Sequence, residues 1–249
     1  MTDPRVDPVA ARFGAVAADY DRGRPSYPAT VLDRLAAVAG LGPGADVLDL
    51  AAGTGKLTRQ LVATGASVVA VEPSAGMRER LVASIPGVGV LDGTGEAIPL
   101  PDQAVDLVTV AQAFHWFRTA EALDEIHRVL RPGGRLALVW NRRVTEDPVN
   151  RAIEAILGPH RAEVPTHRWD NWRATFERTT LFGPLEEHAF PSEQRLDADG
   201  MADRIGSISF IASLPDEERT KVLEEARALA AGGPVTVPYR TEVQIAERR

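Results

Sequence analysis

Residues 46–59 read DVLDLAAGTGKLTR, and the fold turns on this stretch. Val47, Leu48 and Leu50 form a short apolar run that enters a Gly-containing loop at residues 51–55. Leu57, Leu61 and Val62 then recur at helical spacing, so the segment reads as strand, tight loop, helix. That is the first turn of a nucleotide-binding α/β unit. Gly53 and Gly55 let the backbone pass close to a ligand where a Cβ would collide, and the free N–H groups of the following helix face the same space. A phosphate-cradling P-loop is excluded, because the positions for its first glycine and its Ser or Thr hold Leu50 and Leu57. A dinucleotide fingerprint, G-x-G-x-x-G, is weakened, because its third glycine would fall on Thr58 or Lys56. A nucleoside carrying a sulfonium and an ammonium in place of a pyrophosphate favours an acid at the strand end, where Asp49 stands, since a carboxylate attracts those cations.

The rest of the chain continues the pattern. Val68, Val69, Ala70 and Val71 supply a second buried strand that ends in Glu72 and Pro73 and completes a βαβ unit. Glu72 lies 23 positions beyond Asp49, near the spacing at which an acid reaches two ribose hydroxyls. Met77, one turn into the next helix behind the cap candidate Ser74, is placed to cover an adenine face or to pack in the core. Further strands are expected at 88–91, 105–110, 136–140 and 185–190. The alternation over 235–245 suits a last, antiparallel strand. Thr119 is expected to cap the helix before the fifth strand, and a Ser213-x-x-Asp216 capping box to open a later one. Helices over 148–160 and 169–178 are expected as an insertion after the fifth strand, with Trp169, Trp172 and Phe176 as pocket walls or core.

Composition bounds the function. With 249 residues, 44% of them apolar and 25% charged, the chain suits one large globular domain. It has no cysteine, which excludes disulfides, thiol nucleophiles and thiolate metal sites. Its five histidines make no i, i+4 ligand pair, so no metal is expected. A net charge of −7 disfavours nucleic acid as a partner. Without a spanning or leader segment in view, no membrane partner and a cytoplasmic location are expected.

At residues 46–59 the chain resembles motif I of the class I S-adenosylmethionine (SAM) dependent methyltransferases, acid-x-G-x-G-x-G, with Ala51 in place of the first glycine. The run YDRGRPSYP at 20–28, the segment AQAFHWF at 111–117 and LRPGGRLALVW at 130–140 are similar to the trans-aconitate methyltransferase-like group. The resemblance implies a Rossmann-like α/β fold: a seven-stranded, mostly parallel sheet with the last strand antiparallel, flanked by helices. The single domain, 1–249, would carry an N-terminal lid at 12–28, a cofactor-binding core at 46–141, and substrate-side helices with the last two strands at 142–249. It further implies SAM as cofactor, held by Tyr20, Arg24, Asp49, Ala51, Gly53, Thr54, Gly55, Glu72, Pro73, Met77, Thr94, Gly95, Glu96, Ala111, Gln112 and Phe114. Thr94 stands where the family usually has an acid or amide for the adenine amino group, a contact to which Asp92 could reach back. Tyr27, His115, Trp116, Trp140 and Arg142 are expected on the substrate side.

Methyl transfer from a sulfonium is an in-line displacement at carbon, so positioning and exclusion of water carry most of the rate. A base is needed only for an acceptor that arrives protonated, with His115 and then Tyr20 as catalytic candidates. A carboxylate acceptor needs none, and Arg24, Arg142 or Arg143 would then matter more. The expected reaction is methyl transfer to a small molecule, on oxygen foremost, by a monomer or homodimer. The alternatives are an NAD-dependent oxidoreductase on the same kind of sheet, and a SAM-binding regulator without turnover.

Overall fold

The computed structural model describes residues 22–161 and 171–249. In chain order the elements are α1 (Ala29–Ala39), β1 (Asp46–Leu50), α2 (Lys56–Val62), β2 (Ser67–Val71), α3 (Ala75–Ser84), β3 (Gly89–Leu91) and β4 (Val105–Ala111). A 3-10 turn at Phe114–Trp116 precedes α4 (Thr119–Val129) and β5 (Leu130–Arg143). Then follow α5 (Pro148–Leu157), α6 (Asn171–Arg178), β6 (Glu186–Leu196), α7 (Ala198–Gly206), α8 (Ser209–Ala212), α9 (Asp216–Ala228) and β7 (Val235–Glu247). The strands form one sheet in the order β3-β2-β1-β4-β5-β7-β6. Neighbours from β3 to β5 pair in parallel, whereas β7 runs antiparallel to both β5 and β6. Six strands thus share one direction and β7 opposes them, as expected of this single-domain Rossmann-like sheet.

Parallel strands covered on both faces read as continuous apolar runs, and β1, β2 and β4 do so for that reason. One face packs Leu48, Leu50, Val108, Val110, Leu136, Leu138 and Trp140 against Leu123, Ile126 and Val129 of α4 and Phe176 of α6. The other packs Val47, Leu107, Ala137 and Val139 against Val31 and Leu35 of α1 and Leu57 and Leu61 of α2. A third cluster, with Ile153, Met201, Ile205, Val222 and Tyr239, seats α5, α7 and α9 on the far end of β7.

Local corrections are small. Ser213 does not cap α9: its hydroxyl donates to the Ser209 carbonyl, and the helix begins after Pro215. Thr119 is the first residue of α4, and Arg118 takes the cap position without a side-chain bond. The first part of the expected lid, 12–21 with Tyr20, lies outside the described residues, as does Trp169. Among the described residues no helix is long and apolar enough to cross a membrane, and no cluster of three or more His, Asp or Glu residues is suited to a metal ion.

Candidate active site

The order of the sheet reverses between β1 and β4, and a cleft forms beyond their carboxyl ends, the position at which open α/β sheets bind ligands. It is an open cleft of about 580 Å3, lined from β1 and its loop by Asp49, Ala51, Ala52, Gly53 and Thr54, and from β4 by Ala111 and Gln112. Arg24, Pro25, Tyr27, Lys56, Leu57, Asn141 and Arg204 complete it. Eight of the residues expected from sequence therefore meet in one space: Arg24, Tyr27, Asp49, Ala51, Gly53, Thr54, Ala111 and Gln112.

Backbone strain gathers at the two strand ends. Ala51 has φ 56° and Gln112 φ 61°, in the left-handed region that disfavours side chains by about 1–2 kcal/mol. This is the geometry that calls for glycine at the first position of motif I, and Ala51 adopts it regardless. The bonds from Ala52 N to the Val71 carbonyl (3.2 Å) and from Gln112 N to the Val139 carbonyl (2.9 Å) hold both bends. The two loop glycines serve different ends. A Cβ on Gly53 would meet nothing within 4 Å, so this position opens on the cleft. One on Gly55 would press on Leu81 and Ile85 at 2.9 and 3.0 Å, so that glycine is required by the packing of α2 on α3.

Asp49 is 1% exposed. Thr58 donates to one of its carboxylate oxygens at 2.6 Å and Thr109 to the other at 2.9 Å. Burial nonetheless raises its pKa to about 6, with the two hydroxyls pulling the other way. No cation among the described residues pairs with it. Glu72, at the end of β2, is also buried; its oxygens accept the amides of Gly53 (3.0 Å) and Ser74 (2.9 Å), and burial again outweighs these bonds to raise its pKa. Glu72 thereby ties the glycine loop to the β2 end. Pro73 follows it, with a carbonyl that accepts from Arg78.

The loop after β3 is tightly built. Thr94 and Ala97 form a bridge, a Cβ on Gly95 would strike the Phe117 ring at 2.8 Å, and the Glu96 carboxylate accepts the Arg118 amide at 2.7 Å. Asp92 pairs with Arg78 at 3.3 Å. Met77 is 3% exposed and packed as core.

The remaining expectations divide by sheet face. Phe114 has no exposed surface and meets Phe117 and Trp172 edge-on, so it fills the core and does not line the cleft. Trp140 is 2% exposed, donates to Gln244 at 2.9 Å and stacks on Trp172, which makes it core as well. His115 packs between Trp116 and Trp140, at ring distances of 4.6 and 5.6 Å. Arg142 lies over Trp140 and pairs with Glu242. All four sit on the α4 face, whereas alternation along β5 puts Asn141 and Arg143 on the α1 face. Tyr20 lies outside the described residues.

Sequence reasoning missed Asn141 and Arg204. Asn141 accepts from Thr241 at 2.6 Å and donates to the Ser26 carbonyl at 3.2 Å. Arg204 stands in α7 with Met201 and Ile205 at i−3 and i+1, a charge within an apolar stripe, and that is the signal that could have found it. The segment before α1 is held on two sides. Gln60 exchanges two bonds with the Tyr27 backbone (2.7 and 3.2 Å); opposite, Arg22 pairs with Asp203 (2.8 Å) and Arg24 donates to the Ser207 carbonyl (2.9 Å).

The family profile described as a methyltransferase domain matches residues 48–138. An uncharacterized methyltransferase of Mycobacterium tuberculosis is 41% identical over 251 residues, covering 97% of each chain. The chain belongs to the class I SAM-dependent methyltransferases. A malonyl-[acyl-carrier protein] O-methyltransferase of Methylococcus capsulatus is 41% identical over 157 residues, 60% of this methyltransferase and 57% of that protein. In fold, the methyltransferase superposes with TM-score 0.70 on a structure from Anaeromyxobacter dehalogenans assigned to the type II methyltransferases, at 24% identity over 89% of this chain and 97% of that one. Both alternatives, the oxidoreductase and the regulator without turnover, give way to this membership.

Proposed function

We propose that the enzyme binds SAM in the cleft at the β1 and β4 ends and transfers its methyl group to an oxygen of a small-molecule acceptor, leaving S-adenosylhomocysteine (SAH). The observation that carries this reading is Asp49: a buried carboxylate in the cleft wall, raised to a pKa of about 6, with no cation among the described residues to pair with it. Such a group is stabilised by a ligand that brings positive charge. When bound, SAM supplies a methyl carbon already activated by its sulfonium.

The chain's own residues then bind, orient and exclude water. Asp49 is assigned to the positive charge of the methionine end, and Arg24 to its carboxylate. Gly53 and Thr54 offer backbone at close approach, Ala51, Ala111 and Gln112 shape the floor, and Tyr27 closes the near side. Glu72 is assigned to the ribose: each of its oxygens accepts one amide, which leaves a lone pair on each for a hydroxyl. Pro73, Thr94, Gly95 and Glu96 are assigned to the adenine end, and Gly55 acts by seating α2. Of the lid expected at 12–28, the described part, 22–28, borders the cleft through Arg24, Pro25 and Tyr27; 46–141 are assigned to the cofactor core and 142–249 to the acceptor side.

Oxygen as acceptor atom draws support from the O-methyltransferase relative of Methylococcus capsulatus. It also fits the absence of His115 from the cleft lining, since an ionised oxygen needs no base. His115, with Trp116, then backs the pocket from the α4 face.

Calorimetric titration with SAM, with NAD as control, should show one saturable site for SAM alone. Methyl-labelled SAM incubated with carboxylic acids, phenols and amines then reads the atom, because only carboxyl esters release volatile methanol in alkali. Binding of NAD in place of SAM overturns the cofactor reading. Label found only on nitrogen or carbon overturns the oxygen reading.

A further inference from the structure

Arg204 is 6% exposed and yet lines the cleft. Its Nε donates to the Tyr239 hydroxyl at 2.8 Å, and its guanidinium lies 5.8 Å from the centre of the Tyr239 ring. Its Nη1 is sealed from water and has no hydrogen-bond partner among the described residues. None of the carboxylates in those residues pairs with it. A buried guanidinium held this way is unfavourable unless something else supplies the acceptor oxygens.

Its surroundings add positive charge. Arg143, on the adjoining strand face, is depressed in basicity first by burial and then by the charge of Arg204. The acid beside Arg143 is Glu154, which accepts at 3.0 Å from Arg143 and at 2.7 Å from Arg161, so it is already shared. Arg24 enters the same cleft and is anchored on the C-terminal end of α7. The cleft is therefore acidic at Asp49 and basic where α7 meets it.

We infer that Arg204 is the anchor for a carboxylate of the methyl acceptor, so that the enzyme's substrates are small carboxylic acids. The inference rests on the cofactor reading above. A carboxylate offers planar paired oxygens that match a guanidinium fork, and the Tyr239 bond fixes that fork by holding Nε. One other source of the same chemistry is present in the reaction, the methionine carboxylate of SAM itself, and the test separates the two.

The full-length protein saturated with SAH is titrated calorimetrically with benzoate, succinate and citrate, and with benzamide and succinamide as uncharged counterparts. The expected result is that at least one carboxylate binds while its amide does not. In Arg204→Met the Kd for that carboxylate rises at least about ten-fold while the Kd for SAH stays within about two-fold. Tyr239→Phe, which removes only the hydroxyl that accepts from Nε, gives a smaller loss in the same direction and stands in if Arg204→Met does not fold. Absence of carboxylate binding to the SAH-loaded wild type overturns the inference, as does equal carboxylate binding by the variants. A ten-fold loss of SAH affinity, with 5′-methylthioadenosine unaffected, overturns it too and assigns Arg204 to the methionine carboxylate. Failure of the wild type to bind SAH at all is a failure of the cofactor reading and is seen before any acid is added.

Discussion

The cleft beside α1 and the aromatic cluster on the α4 face lie on opposite sides of the same strand ends, and they bury different things: rings in the cluster, where one indole N–H, that of Trp172, goes without a partner, and opposite charges in the cleft. In the cluster, Trp140 finds Gln244, and Phe114, Trp172 and Phe176 close over one another with almost no exposed surface. In the cleft, Asp49 is left without a cation and Arg204 without an anion among the described residues, and two non-glycine residues bend into the left-handed region. A concentration of aromatic side chains at a strand end is compatible with plain core. Opposite charges buried in one open space are not, because neither is stable there without a ligand.

That contrast is most easily broken at Gly53. Its Cβ direction is open, so Gly53→Arg drives a long side chain into the cleft, and SAM affinity by calorimetry should fall about 1,000-fold or beyond detection. The left-handed φ of 59° costs the fold only about 1–2 kcal/mol, so a melting curve close to wild type separates a blocked cleft from an unfolded one. Undiminished SAM binding would place the cofactor elsewhere.

Trp140→Ala tests the other region. Removing this 2% exposed side chain should lower stability in urea by about 3–5 kcal/mol and leave the Kd for SAM within about two-fold. A ten-fold loss of affinity in a folded variant would join the cluster to the cleft.

Asp49→Asn should act on both quantities in opposite directions. The folded carboxyl, at about 6, lies above the 3.8 of an ordinary aspartate, so the folded state holds the proton more tightly than the unfolded chain. Stability is full below the unfolded value and declines as pH rises from about 4 through 6, by about 3 kcal/mol in all. The variant removes that decline. At neutral pH its ligand-free form should melt higher than wild type while binding SAM at least about ten-fold more weakly. Wild-type stability that rises between about pH 4 and pH 7 in this region's favour would count against a buried charge at Asp49.

The smallest effect is expected at His115. His115→Ala should keep SAM affinity within about two-fold and methyl transfer within about three-fold, because the ring packs on Trp116 and Trp140 outside the cleft. A ten-fold loss of either in a folded variant would dissolve the division between the two regions.

The sheet was legible because buried parallel strands leave uninterrupted apolar runs, and the cleft floor because glycines and an acid follow those runs at fixed spacing. Asp49 and Gly53 came from such local pattern, whereas Ala51, Thr54, Ala111 and Gln112 came from the resemblance of their segments to methyltransferase motifs. What failed was the choice of face. A shift of one residue along β5 separates Trp140 and Arg142 from Asn141 and Arg143, and both pairs look equally like pocket residues until the pleat is fixed. Arg204 left one local mark, a charge beside the buried Met201 and Ile205 of α7, but its meaning depends on where α7 docks, some 150 residues after Asp49 in sequence, which that mark does not report.

The segment that carries Arg24, Pro25 and Tyr27 behaves as a footbridge with unlike moorings. On the α2 bank it is tied by the paired amide bonds of Gln60; on the α7 bank part of the mooring is the half-exposed ion pair of Arg22 with Asp203. Salt screens the second and hardly touches the first. Added salt should therefore loosen the Arg22 tie on the α7 bank more than the amide ties on the α2 bank.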